Sequence, residues 1–267
     1  MRTLQVNSET TMFSSAVPIP TIGVLAVNAY LVGGTQPTLI DTGITPESDD
    51  FLDALRAQVD LRDLRWIVIT HADRDHVGAL MRLLDESPDA RVVTTFLTVG
   101  LMSVGAEPIP PERSLLVRDG STLDIGDRTL RFVRPPLFDN PGTVGIFDPA
   151  QNVLFSADCF GAPFTTPEGA LADDVATTRP DELETAQLLW ASVDSPWAHY
   201  VETERMAANI AAFVQDRPDT VLSTHLPPIR GDLDRHVATL TKLPTSTPVA
   251  PADQAALEDF LATMGQP

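Results

Sequence analysis

The sequence predicts an α/β (α+β) fold in which two mixed β-sheets pack together and are flanked by helices. Short apolar runs typical of strands are followed by amphipathic helical segments, and this succession occurs twice along the chain. The 267 residues, of which 43% are hydrophobic, are enough to build a sizeable core. Layers of sheet and helix are the usual way to bury the apolar faces of such elements.

The first half of the pattern begins with strand-like stretches within residues 3–33, which are clearest over residues 23–32. A short strand that ends in Asp41 follows. Residues 46–59 predict a helix, because their apolar members lie on one face: Phe51, Leu52, Leu55 and Val59. The remaining elements of this half are a strand over residues 66–69, a helix that ends near Pro88, a strand over residues 91–95 and a short helix over residues 96–104.

The second half begins with three short strands that we predict to form a β-meander, at residues 114–118, 121–125 and 129–134. The further elements are strands at residues 143–147 and 153–156, a loop over residues 162–180, helices over residues 181–215 with a break at Pro196, a strand at residues 220–223 and a helix that begins near Leu233. Strands are thus followed by helices a second time.

The C-terminal part of the chain is set apart by composition. We expect one domain over residues 1–243 and a proline-containing linker over residues 244–251. Within residues 252–267 we expect an amphipathic helix, with Leu257, Phe260, Leu261 and Met264 on its apolar face. Such a short helix is not stable alone, so it should pack on the domain or on a partner subunit, which leaves a homodimer open.

The most informative stretch lies between the strand at residues 66–69 and the helix that follows it. It contains His71, Asp73, Asp75 and His76, at offsets of 0, 2, 4 and 5 residues. On a turning backbone these offsets let the side chains converge on one or two points, and imidazole and carboxylate are ordinary ligands of zinc or iron. Asp73 or Asp75 could instead cap the helix. A cap explains one carboxylate, but not two of the five histidines of the chain.

Four motifs resemble the metallo-β-lactamase superfamily. Residues 70–76, Thr-His-Ala-Asp-Arg-Asp-His, are similar to its histidine and aspartate signature, except that Asp73 stands where histidine is usual. A carboxylate there resembles the flavodiiron and oxygen-binding diiron branch. Residues 152–161 are similar to the segment that presents a bridging aspartate in that branch, here Asp158, and residues 221–225 resemble the strand that delivers the last histidine, here His225. With residues 41–43, Asp-Thr-Gly, the resemblance spans roughly residues 20–235.

The resemblance implies an αββα metallo-β-lactamase-type sandwich and a site for one or two divalent ions, iron or zinc, with manganese as a further option. The implied ligands are His71, Asp73 and Asp158 for the first ion, and Asp75, His76, His225 and the bridging Asp158 for the second. Asp75 would also act in catalysis, by orienting an attacking water. Asp41 would hold the ligand loop through hydrogen bonds.

The chain departs from the branch at one ligand. The branch has another histidine between the strands near residues 129–134 and Asp158, and Phe138 stands at that position here. We expect the Phe138 ring to face the first ion and to supply no ligand, unless Asp139 or Asn140 substitutes. Without a substitute the chain would bind one ion, or two loosely. Of the other histidines, His199 is expected to be a packed or surface residue and His236 a surface one.

The composition limits the kinds of partner that we expect for the protein. The formal net charge is −19, from 18 basic and 37 acidic residues, and such a surface repels nucleic acid. The one cysteine, Cys159, rules out an internal disulfide framework. No apolar run reaches the length of a membrane span and no signal peptide is visible at the first residues, so we expect a cytoplasmic protein without a membrane partner.

Three functions are compatible with these features. The first is a metal-dependent hydrolase, in which a metal-bound hydroxide attacks a small-molecule substrate. The second is a flavin-less diiron protein that binds or reduces oxygen or nitric oxide with electrons from a redox partner, and the Asp73 carboxylate favours it because oxygen ligands suit iron. The third is a non-catalytic binder or sensor. We place the hydrolase first, and only slightly ahead of the diiron protein.

Overall fold

The computed structural model describes residues 1–105, 107–250 and 252–264, and within them the strands form two mixed sheets. The first sheet holds the strands of the N-terminal part, in sequence order: β1 (Arg2–Gln5), β2 (Thr10–Ile19), β3 (Gly23–Val32), β4 (Thr38–Ile40), β5 (Trp66–Val68), β6 (Arg91–Thr95) and β7 (Ser114–Val117). Strands β1 to β4 are antiparallel, and β4 to β7 are parallel. The parallel part matters for the site, because its carboxyl ends lie at one edge of the sheet.

The second sheet is built from the remaining strands: β8 (Thr122–Asp124), β9 (Thr129–Val133), β10 (Gly145–Asp148), β11 (Val153–Phe155), β12 (Thr220–Leu222) and β13 (Ile229–Arg230). Their order across the sheet is β13-β12-β11-β10-β9-β8. Only β11 and β12 run parallel, with Phe155 opposite Leu222. These two strands therefore also deliver their following loops to the same edge.

Helices cover the outer face of each sheet. In the described residues they are α1 (Ser48–Arg56), α2 (Leu80–Glu86), α3 (Phe96–Ser103), α4 (Pro167–Ala170), α5 (Pro180–Asp194), α6 (Thr203–Phe213), α7 (Leu233–Thr241) and α8 (Gln254–Met264). Helices α1 to α3 pack on the first sheet, and α5 to α7 pack on the second. This is the αββα sandwich that the sequence predicted.

Three apolar layers hold the sandwich together. The middle layer fills the space between the sheets, with Val68 and Tyr30 from the first sheet against Phe132 and Phe155 from the second. The two outer layers join each sheet to its helices. All four of these side chains are buried, and full burial of an apolar side chain of this size contributes about 1.5–3 kcal/mol.

The expected β-meander is wrong in one strand. Strand β7 does not pair with β8; it adds to the edge of the first sheet as a parallel neighbour of β6, with Leu115 opposite Val93. Strands β8 and β9 belong to the second sheet. The chain thus crosses from one sheet to the other at residues 118–121. A local strand signal does not reveal this, since it carries no information on the pairing partner.

Helix α8 follows the domain, and its predicted role in packing remains a prediction. Leu257 lines a small cavity together with Pro20 and Thr21, while Leu257 and Leu261 both stay exposed. The predicted contribution of Met264 lies outside the side chains that the structure describes. Across the described residues, none of the helices combines the length and the apolar character needed to cross a membrane.

Candidate metal centre

Strand ends from both sheets deliver the site. Asp41 follows β4, and Thr70 and His71 follow β5, its parallel neighbour. On the other sheet Asp158 follows β11 and His225 follows β12. Side chains that leave the carboxyl ends of neighbouring parallel strands meet at a common edge, which is where sites form in open α/β sheets. The two edges face each other, because the Nε2 atom of His71 lies 3.1 Å from a carboxylate oxygen of Asp158.

The loop that carries the first motif is held by the loop after β4. The amide N–H of Thr42 donates to the carbonyl oxygen of His76 at 2.8 Å, and the N–H of Gly78 donates to the carbonyl oxygen of Gly43 at 2.8 Å. The approach is so close that a Cβ atom on Gly78 would lie 2.4 Å from the Gly43 carbonyl oxygen. Only glycine fits there, and the motif loop gains a fixed backbone.

The turn that presents Asp158 uses an uncommon backbone. Ala157 and Phe160 have φ angles of 50° and 73°, in the left-handed region that most residues avoid. The loop after β12 fastens this turn, since the N–H of Thr224 and the hydroxyl of Ser223 both donate to the carbonyl oxygen of Ala157. Such strained residues persist where the surrounding structure determines them, and they cluster at functional sites.

Asp75, His76 and His225 form one cluster with Asp158, which we call position 2. The Nε2 atoms of His76 and His225 lie 3.2 Å and 3.1 Å from Oδ1 of Asp158. Their distances to the Asp75 carboxylate are 3.7 Å and 3.4 Å. Two imidazoles and two carboxylates thus point at one small volume. Histidine and carboxylate sets of this kind bind zinc or iron.

A second cluster lies on the other side of Asp158, and we call it position 1. Here the Nε2 atom of His71 lies 3.1 Å from Oδ2 of Asp158 and 3.9 Å from Asp73. The Asp139 carboxylate completes the group at 3.8 Å from the same nitrogen. The amide of Asn140 donates to the other oxygen of Asp73 at 3.0 Å, which orients that carboxylate. Asp158 therefore lies between the two positions and offers one oxygen to each.

Phe138 does not face this centre as expected. Its ring packs against Trp197, with the centroids 4.9 Å apart, and the Arg134 guanidinium lies 3.9 Å from its centroid. The Trp197 indole N–H also donates to the Phe138 carbonyl oxygen at 2.8 Å. Aromatic packing and a cation–π contact hold the ring in this direction. It is the next residue, Asp139, that reaches His71.

Two atoms in the centre lack hydrogen bonds. His76 Nε2 and Asp158 Oδ1 are buried and have no hydrogen-bond partner among the described residues, although they lie 3.2 Å apart. Buried polar groups are nearly always satisfied, so an exception calls for an explanation such as an ion. A cation between these two atoms and the His225 nitrogen would satisfy both. The residues present therefore fit a bound metal.

Hydrogen bonds at Nδ1 orient the rings of His76 and His225. Nδ1 of His76 lies 2.8 Å from the Asp41 carboxylate, and Nδ1 of His225 lies 2.8 Å from the carbonyl oxygen of Ala26. Neither oxygen can donate a proton to the ring, so each Nδ1 carries the proton and donates it. Each Nε2 is then left free for a metal, which is the usual arrangement around metal-binding histidines.

The charges of the centre shift several pKa values. Burial raises the pKa of Asp158, but the three neighbouring histidines lower it well below its ordinary range. Burial lowers the pKa of His225, yet the nearby charges of Asp158 and Asp75 raise it to about 9. The pKa of His76 is raised well above 6.5 for a similar reason. Without a metal these rings hold protons, which a metal must displace.

Two residues near the centre were not identified as parts of it from the sequence. The Trp190 ring packs edge-on against His225, with the centroids 5.1 Å apart. Asp194, the last residue of α5, has a carboxylate oxygen within 4.8 Å of those of Asp139 and Asp158. Its only signal in the sequence is an acidic residue at a helix C-terminus, where the helix dipole disfavours negative charge.

The other histidines lie apart from these clusters. Nε2 of His199 contacts the Ser192 hydroxyl at 3.0 Å. His236, expected on the surface, is buried, and its Nδ1 lies 3.1 Å from the side-chain oxygen of Gln187. Cys159 is also buried, and burial raises the pKa of its thiol, so it is not poised for reaction.

A cavity opens next to position 1. It has a volume of about 610 Å³ and its lining includes Asp73, Arg74, Asn140, Leu101 and Met102. A larger cavity of about 800 Å³ is lined by residues of α1 and α2, such as Arg56 and Glu86, and by none of the site residues. Of these two cavities, only the smaller is lined by residues next to the centre.

Comparison with known proteins agrees with this geometry. A family model described as the metallo-beta-lactamase superfamily matches residues 22–214. The anaerobic nitric oxide reductase flavorubredoxin of Salmonella typhi is 33% identical over 175 residues, which are 65% of this chain and 36% of that protein. The chain thus spans about a third of the length of this relative. The similarity covers only that third of the relative.

Two solved structures show the same fold. Rubredoxin oxygen:oxidoreductase from Desulfovibrio gigas superimposes with a TM-score of 0.73 and 19% identity, over 91% of this chain and 61% of that one. The flavodiiron protein from Giardia intestinalis gives a TM-score of 0.74 and 20% identity, over 91% and 59%. At these identities the similarity establishes the sandwich architecture.

Proposed function

The chain belongs to the metallo-β-lactamase superfamily, and we propose that it carries a dinuclear iron centre that binds or reduces oxygen or nitric oxide with electrons from a redox partner. The pair of clusters around Asp158 is the observation that carries this proposal. A carboxylate that offers one oxygen to each of two positions is suited to bridge two ions. The carboxylate-rich set favours iron over a purely structural zinc.

The names of the similar proteins support the diiron proposal over the hydrolase that we placed first from the sequence. One relative is a nitric oxide reductase and one structural neighbour is an oxygen oxidoreductase. The centre also offers a ligand where one had been expected to be missing, because the Asp139 carboxylate lies 3.8 Å from His71. This distance supports Asp139 as the substitute that the sequence analysis left open.

The proposed holders are His71, Asp73, Asp139 and Asp158 at position 1, and Asp75, His76, His225 and Asp158 at position 2. When bound, two irons would supply electrons and Lewis acidity to a small diatomic molecule. Asp41 and the Ala26 carbonyl oxygen hold Nδ1 of His76 and His225, so that Nε2 of each ring faces the metal side. Asn140 holds Asp73 in place. Histidines and carboxylates do not store electrons, so these must come from a redox partner.

A metal-dependent hydrolase is the second candidate, and one observation favours it. The cavity of about 610 Å³ beside Asp73 is much larger than a diatomic molecule needs, and it lies within the size range of small-molecule sites. In this case a cation at position 2 would lower the pKa of a bound water, and Asp75 would orient it. A single complete position would be enough for that chemistry.

Metal loading followed by two assays separates these functions. The protein is loaded anaerobically with iron and supplied with a chemical reductant, and the uptake of oxygen or nitric oxide is followed with an electrode. Zinc-loaded protein is tested with chromogenic esters, thioesters, lactones and phosphodiesters. We expect two irons per chain, a visible absorption band and gas uptake. Hydrolysis by the zinc form without gas uptake by the iron form would reverse the order of the two candidates.

A matched pair of variants links either activity to the centre. His76→Ala removes a proposed ligand of position 2, and His199→Ala removes a histidine that contacts the Ser192 hydroxyl. The first should abolish gas uptake and the second should leave it unchanged. Equal activity of His76→Ala and the unmutated protein would refute the assignment of this centre.

A further inference from the structure

The loop that carries His225 packs against an open edge of the first sheet. Strand β4 is short and pairs with β3 only over Tyr30–Val32, so no strand among the described residues pairs with the earlier part of β3 on that side. In an antiparallel strand every second residue directs its N–H and C=O toward the same neighbour. Val24, Ala26 and Asn28 alternate in this way, and groups from loops of the second sheet bond to the backbone of all three.

Two of these bonds place the His225 loop against β3. The N–H of Asn28 donates to the carbonyl oxygen of Thr224 at 2.9 Å, and Nδ1 of His225 lies 2.8 Å from the carbonyl oxygen of Ala26. The loop lies between β12 and β13 and has prolines at residues 227 and 228. Because proline has no backbone N–H to donate, this loop depends on other segments for its hydrogen bonds.

The Asn28 side chain holds the loop on both sides of His225. Its Nδ2 atom donates to the carbonyl oxygens of Ser223 and Leu226, at 2.9 Å in each case. At the other end of the amide, the Ser14 hydroxyl donates to Oδ1 at 2.5 Å. Carbonyl oxygens can only accept, so this orientation gives a partner to the oxygen and to both N–H groups of the amide. Asn28 is 1% exposed, and these bonds are therefore shielded from water.

The place of this loop decides where the His225 ring lies. Its Nδ1 atom is bonded to the first sheet, and its Nε2 atom lies 3.1 Å from Oδ1 of Asp158, which follows a strand of the second sheet. That oxygen is buried and has no hydrogen-bond partner among the described residues. A metal ligand must lie within about 0.2 Å of its ordinary distance, so the ring tolerates little displacement of its backbone.

We propose that Asn28 is a positioning residue for position 2: its side-chain amide holds the His225 loop, and the two donors of the amide control the metal affinity of this position. The inference rests on the dinuclear centre of the proposed function. Position 1 should depend on Asn28 much less. Its candidate ligands His71, Asp73 and Asp139 follow β5 and β9, and none of the hydrogen bonds described above for the amide goes to those segments.

Zn²⁺ is the probe for this proposal. Metal-free protein is titrated with Zn²⁺ in competition with a chromophoric chelator, and we expect two ions per chain. Asn28→Asp keeps the shape of the side chain and turns a carboxylate oxygen toward the two carbonyl oxygens. It should weaken one of the two ions by roughly 10–100-fold, the usual effect of losing a partner outside the direct ligands. Asn28→Ala removes the donors without burying a charge and should show the same loss, so it serves as the second variant if the aspartate form does not fold.

A double-mutant cycle with His225→Ala distinguishes positioning from general support of the fold. If Asn28 acts through His225, the ion that remains in the His225→Ala protein should bind equally well whether or not Asn28 is replaced. A residue that only supports the fold would weaken that ion too. As a control, Asp148→Asn breaks a buried ion pair with Arg128, so it should lower the free energy of unfolding and leave both Zn²⁺ affinities unchanged.

The outcomes separate this proposal from the function on which it rests. Two Zn²⁺ ions with unchanged affinities in a folded Asn28 variant would overturn the role of Asn28 and leave the dinuclear centre intact. An equal loss of affinity with and without the His225 imidazole would also overturn it, because Asn28 would then not act through that ring. An unmutated protein that binds neither Zn²⁺ nor Fe²⁺ would overturn the proposed function as well.

Discussion

Asp41→Asn tests whether the hydrogen bonds behind the centre control metal binding. The Asp41 carboxylate accepts from the amide of Thr70 at 2.8 Å and from the Thr70 hydroxyl, and its Oδ2 atom lies 2.8 Å from Nδ1 of His76. Asparagine keeps an oxygen for Thr70. At His76, however, its NH₂ group would face a ring N–H, so two donors would meet.

The ring has one way to relieve this conflict, and it harms the metal site. If His76 moves its proton to Nε2, Nδ1 can accept from the asparagine, but the proton then occupies the atom that faces position 2. We expect the metal affinity of position 2 to fall by roughly 10–100-fold, which is the usual effect of losing such a partner and equals about 1.4–2.8 kcal/mol. The metal-free protein should lose about 1.5–3 kcal/mol of stability with the charged hydrogen bond.

Titration against a chromophoric zinc chelator measures the affinity, and chemical unfolding of the metal-free protein measures the stability. The chain offers a matched control in Asp148, which is equally buried and pairs with Arg128 at 2.9 Å, but is not part of either cluster. Asp148→Asn should lower the stability and leave the metal affinity unchanged. If Asp41→Asn binds zinc as tightly as Asp148→Asn does, the orienting role of Asp41 is refuted.

Three further predictions follow from the same geometry. His225→Ala should abolish metal binding at position 2, whereas Asp73→Ala should have a smaller effect because other carboxylates remain at position 1. Metal analysis after dialysis measures the metal content of both variants, and equal losses would contradict the prediction. Phe138→His should leave the number of bound ions unchanged and should lower the melting temperature, since the Phe138 ring packs against Trp197 and Arg134. A gain of one bound ion per chain would contradict this orientation of the ring. Metal affinity at position 2 should fall at least tenfold for each pH unit below 9, because the metal displaces a proton from His225, whose pKa is about 9 without metal, and one from His76, whose pKa is also raised. Calorimetric titrations at several pH values measure this slope, and a flat profile would contradict it.

The same pKa shift has a defined sign for stability. The pKa of His225 is raised from 6.5 in the unfolded chain to about 9 in the folded, metal-free chain. Its contribution to the free energy of unfolding is therefore fully present below pH 6.5 and is lost as the pH rises through 9. Metal-bound protein should lack this loss, because the bound metal replaces the proton.

The sequence predicted the parts of the molecule that depend on local pattern. The strand at β6 spans the expected residues, and the ligand loop, Asp158 and His225 meet as the motifs implied. The predicted pairing of β7 was wrong, because a strand can pair with either of the two sheets and its partner depends on residues distant in the sequence. Asp194 could not be found, since nothing in its own segment shows that the end of α5 reaches Asp158.

Phe138 shows how a one-residue offset can hide a ligand. Alignment by sequence places Phe138 where a histidine is expected, and the loop instead turns Phe138 toward Trp197 and Asp139 toward His71. In a loop without the regular period of a helix or strand, the direction of each side chain depends on packing. Here the Phe138 ring contacts Trp197 and Arg134, and the Asp139 carboxylate lies toward His71.

The two positions differ in how they are held, and this difference explains where the chain can vary its ligands. His76 and His225 are fixed by hydrogen bonds to Asp41 and to the Ala26 carbonyl oxygen. Asp139 comes from the loop after β9, and its carboxylate lies 3.8 Å from Nε2 of His71. Replacing a side chain whose hydrogen bonds join it to a neighbouring loop or strand disturbs that neighbour as well. A side chain without such a bond can be exchanged at less cost, and we therefore expect substitutions among the candidate ligands to be tolerated better at Asp139 than at His76 or His225.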